Sequence, residues 1–397
     1  MTKNAPELRF EGFTDDWELR KFYEVLDYSI SNNTLPRAEL NYDNGVVKNI
    51  HYGDILTKFE SVVNIAEDDI PYITDGTLEK YNKNLLENGD IILADTAEDE
   101  TTGKAIEIAG ITDNFVVSGL HTLVARPNIK FASHYLGYYL NSSSYHNQLI
   151  KLMQGIKVLS ISKSNVAKTD IKYPRKIDEQ NKIGTFFKQL DNSIALHQRK
   201  LDLLKQLKQA YLQKMFPKNG EKVPELRFAD FDEEWEQCKF INLVDVRSGR
   251  DYKHLDSGNI PVYGTGGYML SVNQALSYDD NAIGIGRKGT IDKPYILKAP
   301  FWTVDTLFFA IPKHDSDLNF IYSIFQKINW KAKDESTGVP SLSKSTINSI
   351  SIFIPNSSEQ QKIGWLFKDL DNIVNLHKEK IAALKSVKGA LLMKMFI

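Results

Sequence analysis

Six consecutive residues, Gly284-Ile285-Gly286-Arg287-Lys288-Gly289, match the glycine spacing of a dinucleotide-binding turn. That chemistry needs a helix directly afterwards, so that its N-terminus faces the pyrophosphate. Thr290-Ile291-Asp292-Lys293-Pro294 follows instead, and Pro294 leaves little room for a helix. A glycine-permitted turn presenting Arg287 and Lys288 fits better. A guanidinium there suits a guanine edge or a phosphate; the plain alternative is a solvated turn. Two further loops, Ser160-Ile161-Ser162-Lys163-Ser164 and Ser341-Leu342-Ser343-Lys344-Ser345, each combine hydroxyls with one lysine beside a helix entry. Such groups contact phosphates and fix register, and they serve equally as ordinary helix caps. With basic residues near other expected turns, the candidate DNA contacts are Lys104, Lys157, Ser160, Lys163, Arg250, Lys253, Arg287, Lys288, Ser341 and Lys344.

Other chemistries find less support. Asp95 and Glu98-Asp99-Glu100 are more simply a solvated loop than a metal site. Tyr263-Gly264-Thr265-Gly266-Gly267-Tyr268 reads as a tight turn where backbone approaches something closely, another strand in preference to DNA. Cys238 is the only cysteine, which excludes an intrachain disulfide and a cysteine-based zinc site. A P-loop, an H-E-x-x-H pair and the Asn-Pro-Pro-aromatic tetrapeptide of amino-methyltransferases do not occur. The sequence predicts a non-catalytic chain with no metal and no cofactor of its own.

The elements that position these residues come in duplicate. Residues 179–216 align with 359–396 at a constant offset of 180, identical at 21 of 38 positions. Within each copy apolar residues alternate in steps of three and four, the seam of a coiled coil. The seam residues are Phe187, Leu190, Ile194, His197, Leu201 and Leu204, then Phe367, Leu370, Val374, His377, Ile381 and Leu384. At 1.5 Å per residue each helix spans roughly 57 Å. A helix that long and mostly polar outside its seam needs a partner, and its own copy, lying antiparallel, is the simplest; folding back separately on its own domain is the alternative. His197 and His377 share one heptad position, where a polar residue setting register is a simpler reading than a metal ligand. A second repeat, at offset 218, matches Pro6-Glu7-Leu8-Arg9-Phe10, Phe13, Trp17 and Lys21-Phe22 with Pro224 to Phe228, Phe231, Trp235 and Lys239-Phe240.

Between these frames lie inserts of unlike sequence. Residues 240–355 carry short β-branched and aromatic runs broken by glycine, such as Ile260-Pro261-Val262-Tyr263 and Thr306-Leu307-Phe308-Phe309-Ala310, then a helix over 318–329. The first insert follows the same order, with Ile70 to Ile73, Asp90 to Leu93, His121 to Val124 and a helix over 131–142. The domains expected are 1–175 and 218–355, each followed by a spacer helix, 176–217 and 356–397, with Lys218-Asn219-Gly220-Glu221-Lys222 as a polar hinge.

Charge leaves a nucleic-acid partner open. The net charge is −2. Residues 176–222 hold ten Lys/Arg against five Asp/Glu, and 356–397 hold seven against four, so the remainder is acidic. Only local basic patches could engage DNA, because the overall field does not help. No apolar stretch approaches a membrane span, and Met1-Thr2-Lys3-Asn4-Ala5-Pro6 has no signal-peptide core, which makes the cytoplasm the expectation.

The whole pattern resembles the specificity subunits of type I restriction–modification systems. The resemblance rests on the insert–helix–insert–helix order and on Glu-Gln-x-Lys-Ile-Gly at 179–184 and 359–364. Leu-Asp-Asn at 190–192 and 370–372, the Pro-Glu-Leu-Arg-Phe openings and the Lys-Met-Phe endings add to it. It implies an α+β fold in which two β-rich target-recognition domains alternate with two long helices paired as an antiparallel coiled coil, a pseudo-twofold internal repeat. It further implies double-stranded DNA as ligand, read as two unlike half-sites at a gap the helices set. The implied partners are two methyltransferase subunits, which carry S-adenosylmethionine, and restriction/translocase subunits. The rival reading is a coiled-coil adaptor whose inserts bind protein, which the acidic inserts favour.

Overall fold

The structure is a computed structural model that describes residues 5–218, 220–313 and 315–397. Residues 1–4, and with them most of the N-terminal segment considered above, lie outside it, as does Asn219 of the expected hinge. Two helices of 38 residues, Ile177–Lys214 and Ser357–Lys394, carry the long repeat. The chain divides into two compact units, Met1–His197 with Lys380–Ile397, and Gln198–Glu379. Each long helix contributes to both units, and each unit is described by itself.

In the first unit a five-stranded sheet runs in the order Leu26–Asp27, Thr122–Pro127, Ile91–Ala94, Ala105–Ala109, Val62–Asn64. A four-stranded sheet holds Phe115–Ser118, Val47–Ile50, Tyr72–Ile73 and Leu40–Asn41. Ile91–Ala94 is buried on both faces, which suits its unbroken apolar run. The helical stretch expected over 131–142 is shorter, Tyr135–Leu140, with a second helix at Ser143–Ile150. It begins late because His134 takes a left-handed φ of 73° and Glu107 accepts from the backbone N–H of His134 and Gly137, at 2.5 and 2.9 Å. A carboxylate at a helix start satisfies otherwise orphaned donors.

The second unit repeats this plan with fewer strands. Val244–Ser248, Leu307–Pro312, Ala282–Gly286 and Tyr295–Leu297 form one sheet, and Gly267–Val272, Ser257–Gly264 and Trp302–Thr303 another. The Tyr263–Tyr268 motif is the tip of a hairpin, with Gly264 paired to Gly267 across a two-residue turn. The glycine-patterned segment ends a strand at Gly286 and passes into a turn rather than a helix. A Cβ at Gly286 would lie 2.0 Å from the Thr290 carbonyl, so glycine is required by that close approach. The amphipathic helix spans Leu318–Lys327.

Each unit closes on the same socket. The opening strand Glu18–Lys21 pairs with Asp170–Tyr173, as Glu236–Lys239 pairs with Ser351–Ile354. Arg9 donates twice to the Glu179 carboxylate, at 2.6 and 2.8 Å, and Arg227 twice to Glu359, both at 2.7 Å. Gln180 and Gln360 are buried and bridge the preceding proline carbonyl to a backbone N–H of the domain, that of Ala132 or Asp317. A Cβ at Gly184 would meet the Ser133 carbonyl at 2.7 Å, and one at Gly364 would meet Phe320 N at 2.8 Å. Glu-Gln-x-Lys-Ile-Gly is thus the sequence of a helix start wedged against a domain.

The seam runs antiparallel within each unit. In the first, Phe396 lies against Trp17, Tyr135, Tyr139 and Phe187 with ring centroids 5.7–6.3 Å apart. In the second, Phe216 lies against Trp235, Phe320 and Phe367 at 5.6–6.1 Å. The residues just past the end of one long helix therefore complete the core around the N-terminal turns of the other. Of the twelve seam residues, Phe187, Leu201, Phe367, Leu370, Val374 and Ile381 are buried. Leu190, Ile194, His197, Leu204, His377 and Leu384 are half-buried.

Candidate nucleic-acid interface

Five of the candidate contacts in the second unit gather around one segment, Thr303–Leu307. Arg250 N donates to the Thr303 carbonyl at 2.9 Å, and Arg287 N to the Thr306 carbonyl at 2.8 Å. Lys288 forms a β-bridge with Ser341, and Leu342 N donates to the Arg287 carbonyl at 3.0 Å. The cationic groups of Arg287 and Lys344 both lie over the Phe308 ring, 5.8 and 6.0 Å from its centroid. Arg250, Arg287 and Lys288 are exposed, Ser341 and Lys344 half-buried. Lys253 is exposed three residues beyond Arg250. This edge offers several cations on ordered backbone, an arrangement that binds phosphate and can reach base edges.

The corresponding edge of the first unit is built on the same bonds with other residues. Ile161 N donates to the Asp95 carbonyl at 2.9 Å, and Thr96–Ala97 pairs with Leu159–Ser160. Ser160 and Lys157 are exposed here, and the exposed Lys163 lies over the Tyr28 ring at 5.3 Å. Lys104 is placed differently. It is half-buried, and its ammonium donates to the carbonyls of Leu56 and Phe59 at 3.3 and 2.8 Å. Burial pulls its pKa below the ordinary lysine value.

The inner serines of the two Ser–Lys loops act as caps. Ser162 accepts from Asn165 N at 3.2 Å and Ser343 from Thr346 N at 3.0 Å. The outer serines, Ser160 and Ser341, pair with Thr96–Ala97 and Lys288 respectively, Ser160 exposed and Ser341 half-buried.

Asp95, which the sequence places in a solvated acidic loop, is held by side-chain contacts. Its carboxylate lies 3.3 Å from His121 Nδ1, and the His121 ring meets Tyr52 edge-on at 5.2 Å. Burial raises the Asp95 pKa against the pull of His121. His121 lies in the turn before the strand Thr122–Pro127 and holds a left-handed φ of 55°, which is uncommon outside glycine. Asp95 makes the same backbone bonds in the first unit that Arg287 makes in the second; no motif marks it. Among the described residues no group of three or more His, Cys, Asp or Glu side chains could hold a metal ion, and no helix is long and apolar enough to cross a membrane.

Residues 14–206 and 232–386 each match the type I restriction modification DNA specificity domain. Together they cover most of the chain, one match per insert-and-helix repeat. The chain belongs to this family. It is 22% identical over 416 residues to a putative type I restriction enzyme specificity subunit, MjaX, of Methanocaldococcus jannaschii, covering 97% of this chain and 94% of that one. Among solved structures, the type I restriction–modification S subunit of M. genitalium superposes with a TM-score of 0.69 at 16% identity, over 99% of both chains. A chain from a structure describing assembly and conformational transition of the type I system superposes at 0.51 and 14% identity, covering 95% and 96%. These structural likenesses speak for the fold: β-rich domains alternating with two long helices in an internal repeat.

Proposed function

We propose that this chain is the DNA sequence-recognition subunit of a type I restriction–modification complex, each recognition domain reading one half of a bipartite, asymmetric target. The domains are 1–175 and 218–355, and the helices 176–217 and 356–397 fix the gap between half-sites and dock the methyltransferase subunits. The observation that carries this reading is the pairing of identical sockets with unlike edges. Arg9–Glu179 and Arg227–Glu359 hold the two domains to their helices in the same way. The edges differ, with exposed Arg287 and Lys288 on one and half-buried Asp95 and exposed Lys157 on the other.

A duplicated frame with two different reading surfaces suits a target whose halves differ. The half-sites this reading expects lie about one helical turn apart, roughly 34 Å. Arg250, Lys253, Arg287, Lys288, Ser341 and Lys344 contact one half-site, and Lys157, Ser160 and Lys163 the other; Lys104 steadies its own domain. Methyl transfer to a flipped adenine, with S-adenosylmethionine, belongs to the partner subunits, and this chain contributes sequence choice and assembly in the cytoplasm.

The test is to co-purify the chain with its methyltransferase subunits and select duplexes from a random pool. Two unlike half-sites at one fixed gap are expected. Absence of enrichment, from a complex shown to be assembled and to bind the methyl donor, would favour the adaptor reading that the acidic inserts allow.

A further inference from the structure

Asp95 and Arg287 occupy one and the same position in the repeated scaffold. Asp95 N donates to the His121 carbonyl at 3.1 Å, and Arg287 N to the Thr306 carbonyl at 2.8 Å. The carbonyl of each accepts the N–H at the second position of the Ser–Lys loop, Ile161 at 2.9 Å and Leu342 at 3.0 Å. The neighbouring loops agree as well. Gln154 N donates to the Ser160 carbonyl at 2.9 Å and Glu335 N to that of Ser341 at 3.2 Å, so each closes a loop of the same length. Both loops present a valine in the same place, Val158 at 55% and Val339 at 67% exposure. An apolar side chain held out on ordered backbone twice, beside a polar side chain at a strand end, fits a duplex groove, where thymine methyls offer apolar contact.

The backbone bonds and the length of the flanking loop are therefore held constant, while the side chain at this position changes from acceptor-only to donor-only. Resting on the DNA-recognition reading above, we infer that this position determines specificity in both domains and reads opposite base-edge patterns. Asp95 accepts from an exocyclic amino group, cytosine N4 or adenine N6, in the half-site of the first domain. Arg287 donates to guanine O6 and N7 in the half-site of the second. His121 holds the Asp95 carboxylate on one side, at 3.3 Å, which limits the directions from which a base can approach it.

Complexes assembled with methyltransferase subunits from wild type, Arg287→Gln and Asp95→Asn are each used to select duplexes from a random pool. Arg287→Gln removes the guanine requirement at one position of one half-site, and Asp95→Asn changes the amino-bearing base at one position of the other. Affinity for the wild-type site falls about tenfold or more in each case. The untouched half-site within each variant complex reports that fold and assembly are intact. Unchanged half-sites in both variants, or changes confined to one and the same half-site, overturn the inference while leaving the DNA-recognition reading standing. A wild-type complex that enriches no half-site removes that reading and this inference together.

Discussion

Lys388 Nζ lies 2.5 Å from Asp191 Oδ1, and the same pairing recurs 180 residues away, where Lys208 meets Asp371. The two pairs exchange roles, so each long helix supplies the carboxylate near its start and the ammonium near its end. Asp191 also accepts from the Tyr138 hydroxyl at 2.7 Å, and Lys388 reaches Glu60 at 3.1 Å. Burial pulls the Lys388 ammonium down, but Asp191 and Glu60 outweigh it and hold the pKa above the usual lysine value.

Removing one partner of such a pair strands the other charge. Lys388→Met is expected to cost about 3–5 kcal/mol, read by denaturant unfolding of the first unit. Lys208→Met should cost less, because Asp371 is 28% exposed where Asp191 is 8% exposed. Equal losses would contradict this ranking.

Truncating the terminal phenylalanines separates sequence proximity from packing. Phe396→Ala opens a cavity beside Trp17, and Phe216→Ala one beside Trp235. Each loss should be about 3–5 kcal/mol. Hydrogen exchange around Trp17 should accelerate in Phe396→Ala and stay unchanged in Phe216→Ala. The reverse pattern would mean that each helix packs on the domain preceding it in the chain.

Glu107 makes the first unit sensitive to pH. Burial pushes its pKa up from 4.5 to about 7, against the hydrogen bonds from Gly137 and His134 that favour the anion. Between those values the folded state holds the proton more tightly than the unfolded chain, so stability falls as pH rises through that window. Wild type should lose stability from pH 4.5 to 7 relative to Glu107→Gln, whose profile lacks this component. Parallel profiles would place the titration elsewhere.

Phosphate contacts and base contacts should separate by salt. Lys163→Ala and Lys344→Ala in the assembled complex are expected to weaken all duplexes alike and to lower the salt slope by about 1 each. A loss confined to the specific site would reassign these lysines to base reading.

Much of the frame was legible in the sequence because it is written twice. The three-four alternation gave the helices, and the repeated Glu-Gln-x-Lys-Ile-Gly and Lys-Met-Phe segments marked their ends; the structure supplies the reasons, from Glu179 and Gln180 to Phe396. The late start of the helix at Tyr135 was not legible, since it depends on Glu107, a strand residue from elsewhere in the chain. The pairing of Asp191 with Lys388 was hidden for the same reason. Asp95 was legible only as one more acid in a loop, because the inserts share no residue pattern there. Local features alone made it part of a solvated acidic loop, whose Asp99 accepts from Thr101 N at 2.9 Å. Its equivalence to Arg287 exists only in backbone bonds.

The role proposed for the paired helices is to set the gap between two half-sites. Deleting one heptad from each helix, residues 198–204 and 378–384, keeps the seam in phase and shortens the pair by about 10 Å. Duplex selection with the assembled deletion complex should return the same two half-sites with a gap shorter by about three base pairs. The same half-sites at the original gap would contradict the account.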